Sequence, residues 1–205
     1  MKQEIQNQDL KHQIHKLGCK LYLIPSESLD FGNFIKVFSQ WIQKQLIQDH
    51  LLIDVHDYRH VYNGPGILLV GHEGNFSLDF EMGRPGLSYY RKQRIEDHVE
   101  VCLRTSLLTL VKACQLLQQT KQFSNNLRFS TNEILVFSND RLNAPNQKNT
   151  RLLFEKISAR LFDGLSPERK SYSYPKTDSR DRFKVTLNLP ELDLDSLFQR
   201  LKVSC

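Results

Sequence analysis

Three of the seven histidines and several carboxylates are concentrated in residues 51–81, LLIDVHDYRHVYNGPGILLVGHEGNFSLDFE. Asp54, His56 and His72 are the residue types for general acid–base work, because an imidazole titrates near neutrality and a neighbouring carboxylate fixes its tautomer. The same three could also ligate a divalent metal such as Zn²⁺ or non-haem iron. Known metal spacings are absent: His72-Glu73 lacks the second histidine of HExxH, and His56-x3-His60 would need a helix that this segment does not form. Asn75, Ser77, Asp79 and Arg84 add hydrogen-bonding and anion-holding groups for a ligand. The plainer alternative is a solvated sheet face, where polar residues alternate for no chemical reason.

The elements that would position these groups are strands. In 51–58, Ile53 and Val55 point one way and Asp54, His56 and Tyr58 the other. Asn63-Gly64-Pro65-Gly66 marks a turn, and Ile67–Val70 is an apolar run. Phe76, Leu78 and Phe80 alternate with Ser77, Asp79 and Glu81. A two-residue turn at Glu73-Gly74 sets His72 opposite Asn75, Val70 opposite Ser77 and Leu68 opposite Asp79. With the aromatic side in the core, Asp54, His56, His72, Ser77 and Asp79 share the other face, where paired neighbours lie about 4.5–5.5 Å apart at Cβ. His60 and Glu73 fall on loops.

The rest of the chain supplies helices between groups of strands. Residues 19–25 read as a first strand ended by Pro25. Phe31, Phe34, Ile35, Phe38 and Ile42 recur at helical spacing over about 30–48, with a start at Ser28 or Asp30. A loop from Met82 to Gly86 leads to a strand at 87–91. The longest helix covers 94–119 and is apolar on more than one side. A short hairpin with a turn at Thr131-Asn132, a helix from Asn149 or Thr150 to Leu161 ended by Asp163-Gly164, a helical turn at Ser166-Pro167-Glu168, a polar loop over 171–182, a strand at 183–189 and a last helix at 195–201 follow. This order predicts one α+β domain over 19–205: an antiparallel-rich sheet with a central meander at about 51–91 and three main helices packed on it. Residues 1–18 form a polar N-terminal tail in which His12 and His15 are solvated.

Composition narrows the function classes. At 205 residues a single domain is long enough to bury a large core without disulfides or metals. The net charge of +5 is scattered among acids with no polybasic arm, zinc finger or RNP-like motif, so nucleic-acid binding is a third-ranked, weak reading. Cys19, Cys102, Cys114 and Cys205 form no CxxC pair and read as reduced thiols. The start of the chain lacks the apolar core of a secretory signal and no stretch of about 18 apolar residues exists, so a cytoplasmic location without membrane contact is expected. Neither Gly64-Pro65-Gly66 nor Gly71-His72-Glu73-Gly74 opens a helix, which argues against a phosphate cradle. No GxSxG elbow is present.

Asp54-Val55, Asp57-Tyr58, His60-Val61, Gly64-Pro65-Gly66, Leu69-Val70-Gly71-His72-Glu73 and Asp79 together resemble a family of uncharacterised bacterial proteins. The glutamine- and asparagine-rich character is similar to its cyanobacterial members. The resemblance extends over about 20–189, through Asn139-Asp140-Arg141-Leu142 and Asp181-Arg182-Phe183, and implies no activity, cofactor or partner. The residues themselves favour a module binding a small ligand or a protein partner beside the 51–81 meander. The alternative is a small hydrolase- or isomerase-like enzyme using His56 or His72 with Asp54, with a divalent metal as a candidate cofactor. The 171–182 loop is a second place for a partner.

Overall fold

The computed structural model describes residues 14, 16–24, 30–93, 98–123, 126–163, 170–175 and 178–203. Within them an eight-stranded sheet, antiparallel at every pairing, runs in the order β2-β3-β4-β5-β1-β6-β8-β7. The strands are β1 Leu17–Leu23, β2 Leu52–Tyr58, β3 Gly66–Gly71, β4 Gly74–Asp79, β5 Gly86–Arg91, β6 Phe129–Ser138, β7 Ser171–Ser173 and β8 Phe183–Asn188. Four helices are interleaved: α1 Gly32–Lys44, α2 Val99–Gln118, α3 Lys148–Leu161 and α4 Leu194–Val203. The fold is therefore mixed α+β in one domain.

The periodicities explain the layers. Cys19, Leu21 and Leu23 of β1, Ile67 and Leu69 of β3, Phe76 and Leu78 of β4, and Val185 and Leu187 of β8 enter one core with the buried faces of α1 to α4. α1 contributes Phe34, Val37, Phe38 and Trp41. It starts where Asp30 Oδ1 accepts the Gly32 N–H at 2.8 Å, and it stops at Gln45, which turns left-handed with φ 46°. α2 is buried on several sides, through Cys102, Leu103, Leu107, Leu110, Val111 and Cys114 among others. A second, smaller cluster of Tyr22, Leu135 and Phe137, with Tyr90 against it, occupies the other face of the sheet and contains no helical residue. Among the described residues the sheet thus has a helix-covered face and an open face.

Several expectations are corrected. Residues 127–137 do not form a hairpin: β6 runs straight through Thr131-Asn132 and pairs with β1 on one side and β8 on the other. The Thr131 hydroxyl donates to the Leu192 carbonyl, and Asn132 accepts the Leu189 N–H, so these polar residues anchor the strand to the chain before α4. The first part of the 171–182 loop is a strand, β7, on the sheet edge. α1 ends earlier than residue 48, and α3 begins at Lys148 with Gln147 as its cap. The N-terminal tail over 1–13, His12, His15, Pro25, Ser28, the 94–97 start of the longest helix, Gly164 and Ser166-Pro167-Glu168 lie outside the described residues.

Candidate functional site

Three rows of paired residues build the open face. His56, Leu68, Ser77, Ser88, Lys20, Leu135 and Thr186 succeed one another from β2 across to β8. Asp54, Val70, Asn75, Tyr90, Gly18, Phe137 and Lys184 form the next row, and Tyr58, Gly66, Asp79, Gly86 and Tyr22 lie on the third. Alternation along the strands fixes these residues on one side once the aromatic side is buried.

The meander places Asp54, His56, Asn75, Ser77 and Asp79 on that face as expected, but not by the expected register. The β3–β4 turn is His72-Glu73 rather than Glu73-Gly74, so Leu68 pairs with Ser77 and Val70 with Asn75. The slip is two residues, which preserves the faces and moves His72 out of the strand. His72 is exposed at the hairpin tip, with Nε2 3.3 Å from Gln93 Nε2. It does not join Asp54 and His56, which meet each other at 3.3 Å on the edge strand with 59% and 45% of their side chains exposed. Ile53 is also corrected: a bulge between Leu52 and Asp54 leaves it 53% exposed and turns Leu52 into the core instead. No three His, Cys, Asp or Glu side chains among the described residues are grouped to hold a metal ion. The Asp54–His56–His72 metal set is therefore not assembled.

The open face carries a groove of about 970 Å³. Asn75, Ser77, Asp79 and Ser88 lie on its floor, Tyr58, Tyr62 and Tyr90 supply aromatic surface, and Arg182 and Lys184 close one end. Asp54, His56, His72 and Arg84 are not part of its lining. Beside the floor, on the same face, lies Lys20, fully buried on the central strand β1. Its Nζ is 2.6 Å from Asp79 Oδ1 and donates to the carbonyls of Arg84 at 2.8 Å, Glu81 at 3.3 Å and Asp79 at 3.4 Å. Burial pulls the ammonium below its ordinary pKa, and the Asp79 charge and hydrogen bond oppose that fall. The other Asp79 oxygen accepts the Ser88 hydroxyl at 2.5 Å, and Oδ1 also takes the Glu81 N–H at 2.9 Å.

This anchorage decides the path of the β4–β5 connection. Residues 80–85 fold back over the open face, through left-handed Met82 (φ 61°) and Gly83 (φ 73°), instead of leaving the end of the sheet. Glu81 reaches Arg182 and Lys184 although β8 stands four strands from β4. Burial pushes the Glu81 carboxyl up, but the Arg182 and Lys184 cations outweigh it and hold the group below its ordinary value. Arg84 lies 4.0 Å over the Tyr22 ring and pairs with Glu133 at 2.5 Å, so it fastens this strap rather than facing the groove. On the opposite wall the Ser77 hydroxyl donates to the Pro65 carbonyl and ties down the β2–β3 loop.

Sequence reasoning missed Lys20, Glu81, Ser88, Tyr90, Arg182 and Lys184. One signal was available: Lys20 is a charged residue inside the otherwise apolar run CKLYLI, on the strand face that also carries Tyr22. It also passed over His50, which is buried on the core face with Nε2 2.7 Å from the Tyr89 hydroxyl. Comparison with protein-family models, curated proteins and solved structures finds no match.

Proposed function

We propose that this protein is a binding module for a small ligand, held in the groove on the open sheet face. One observation carries the reading: the groove of about 970 Å³ has a polar floor of Ser77, Asp79 and Ser88, fixed from the side by the buried Lys20 ammonium. Ligand sites combine such concavity with a few convergent, pre-oriented polar groups. The aromatic side chains of Tyr58, Tyr62 and Tyr90 offer flat apolar surface beside that floor. A cytoplasmic setting accords with Cys19 and Cys114, which are free and buried. No helix among the described residues is long and apolar enough to cross a membrane.

The test is a ligand-observed NMR screen of a fragment library against the full chain and its Ser77→Trp variant. The indole fills the floor of the groove without entering the helix-covered core. Fragments that bind the parent and are lost on Ser77→Trp, with an unchanged circular dichroism spectrum, support the reading. Fragment binding indifferent to Ser77→Trp overturns it.

A His/Asp-dependent enzyme is the second reading, and the 3.3 Å contact between His56 and Asp54 is what favours it. Both groups stand outside the groove lining, on an edge strand, so substrate held in the groove would not meet them.

A further inference from the structure

The cationic end of the groove is filled by a carboxylate of the chain itself. Glu81 lies between Lys184, whose Nζ is 2.7 Å from Oε1, and Arg182, whose guanidinium donates to Oε2. Arg182 is fixed from two further directions: its guanidinium carbon is 4.2 Å over the Phe137 ring, and Nη1 donates to Asn139 Oδ1 at 3.1 Å. Lys184 is paired with Phe137 in the β6–β8 ladder, and Arg182, just before β8, is bridged to Pro145, so backbone pairing places each cation. All five residues line the groove. Two cations face one carboxylate here, which leaves one positive charge in excess, because the nearby Lys20–Asp79 pair neutralises itself.

The carboxylate and the cations are carried by different kinds of structure. Arg182 and Lys184 sit at the head of a sheet strand, whereas Glu81 rides on a three-residue turn with Met82 left-handed at its centre. A planar guanidinium braced on a ring beside an ammonium is an arrangement suited to carboxylate and phosphate oxygens. We infer that Arg182 and Lys184 form an oxyanion subsite of the groove, that its ligand carries a carboxylate or phosphate group, and that Glu81 is an internal stand-in which that group displaces. The inference rests on the binding reading above. A tethered competitor at high effective concentration lowers the apparent affinity of the parent protein, and its neutralisation raises it.

The full chain is titrated at low salt with benzoate, phenyl phosphate and benzyl alcohol, which share an aromatic body and differ in the head group. Binding is read from amide chemical shifts in the parent, Glu81→Gln, Lys184→Gln and Lys184→Met. The expected result is that the anions bind, that Glu81→Gln tightens them about tenfold, and that each Lys184 variant weakens them about tenfold, the scale of a single charge-assisted hydrogen bond. Benzyl alcohol is unmoved by any of the three. Preference for phenyl phosphate assigns a phosphate ligand, and preference for benzoate a carboxylate. If the anions fail to bind, or bind no more tightly to Glu81→Gln than to the parent, the subsite is overturned. The groove reading then stands or falls separately, on the Ser77→Trp fragment screen.

Discussion

Lys20 Nζ lies 2.6 Å from Asp79 Oδ1 although strand β5 runs between their two strands. The side chain crosses β5 above Gly86, where a Cβ would stand 2.5 Å from Lys20 Cε. Three strands are thereby coupled to the strap that walls the groove, through one ammonium.

Removing one partner of this pair leaves a charge in a place with little water. Lys20→Met, which strands the Asp79 carboxylate at 7% exposure, is expected to cost about 3–5 kcal/mol in urea unfolding. Lys20→Met combined with Asp79→Leu, which removes both charges, is expected to recover much of that loss. A double variant as unstable as the sum of the singles would show that the pair is not the coupling element.

Gly86 is required for close approach rather than for an unusual backbone angle. A methyl group there meets the Leu21 carbonyl oxygen at 2.6 Å as well as Lys20 Cε. The lysine can move aside but the carbonyl belongs to the central strand. Gly86→Ala is expected to destabilise by about 1–3 kcal/mol, an overpacking cost, measured by thermal or urea unfolding. Stability equal to the parent would mean that β1 and β5 are not packed this closely.

The acid side of the stability curve has a predictable sign. The folded-state pKa of Glu81 lies below its ordinary value of 4.5, so its stabilising contribution is complete above that pH and is lost as pH falls through the folded value. Glu81→Gln is expected to flatten the fall in stability below pH 4.5. It cannot abolish the fall, because Asp57, Asp178, Asp193 and Glu73 are shifted in the same direction. A Glu81→Gln curve parallel to that of the parent from pH 6 to pH 3 would contradict the assignment.

The Asp54–His56 contact is exposed on the sheet edge, where such pairs contribute about 0–1 kcal/mol. His56→Ala and Asp54→Ala are expected to change stability by no more than about 0.5 kcal/mol and to leave fragment binding in the groove unchanged. Loss of fragment binding in either variant would return the acid–base pair to the site.

Sheet and helices were legible because burial imposes local periods. Phe34, Phe38 and Trp41 recur at helical spacing, and Phe76 and Leu78 alternate with Ser77 and Asp79, whatever lies around them. Alternation also placed Asn75, Ser77 and Asp79 on the open face, and a two-residue register slip could not move them off it. The same arithmetic misplaced His72, since parity decides the face of a strand residue and not whether the residue lies in the strand. Lys20, Glu81, Arg182 and Lys184 come from strands and turns up to 164 positions apart in the sequence, as the numbers of Lys20 and Lys184 show. Nothing local in the chain sets β1 between β5 and β6, and only that strand order brings these charges together. Local sequence determined the face of residues in regular strands, because side-chain direction follows backbone period, and it failed at Ile53, where a bulge breaks that period. Tertiary structure alone decided which residues on that face are neighbours, because strand order and the path of the 80–85 strap follow from long-range pairing and from the hydrogen bonds of a single buried ammonium.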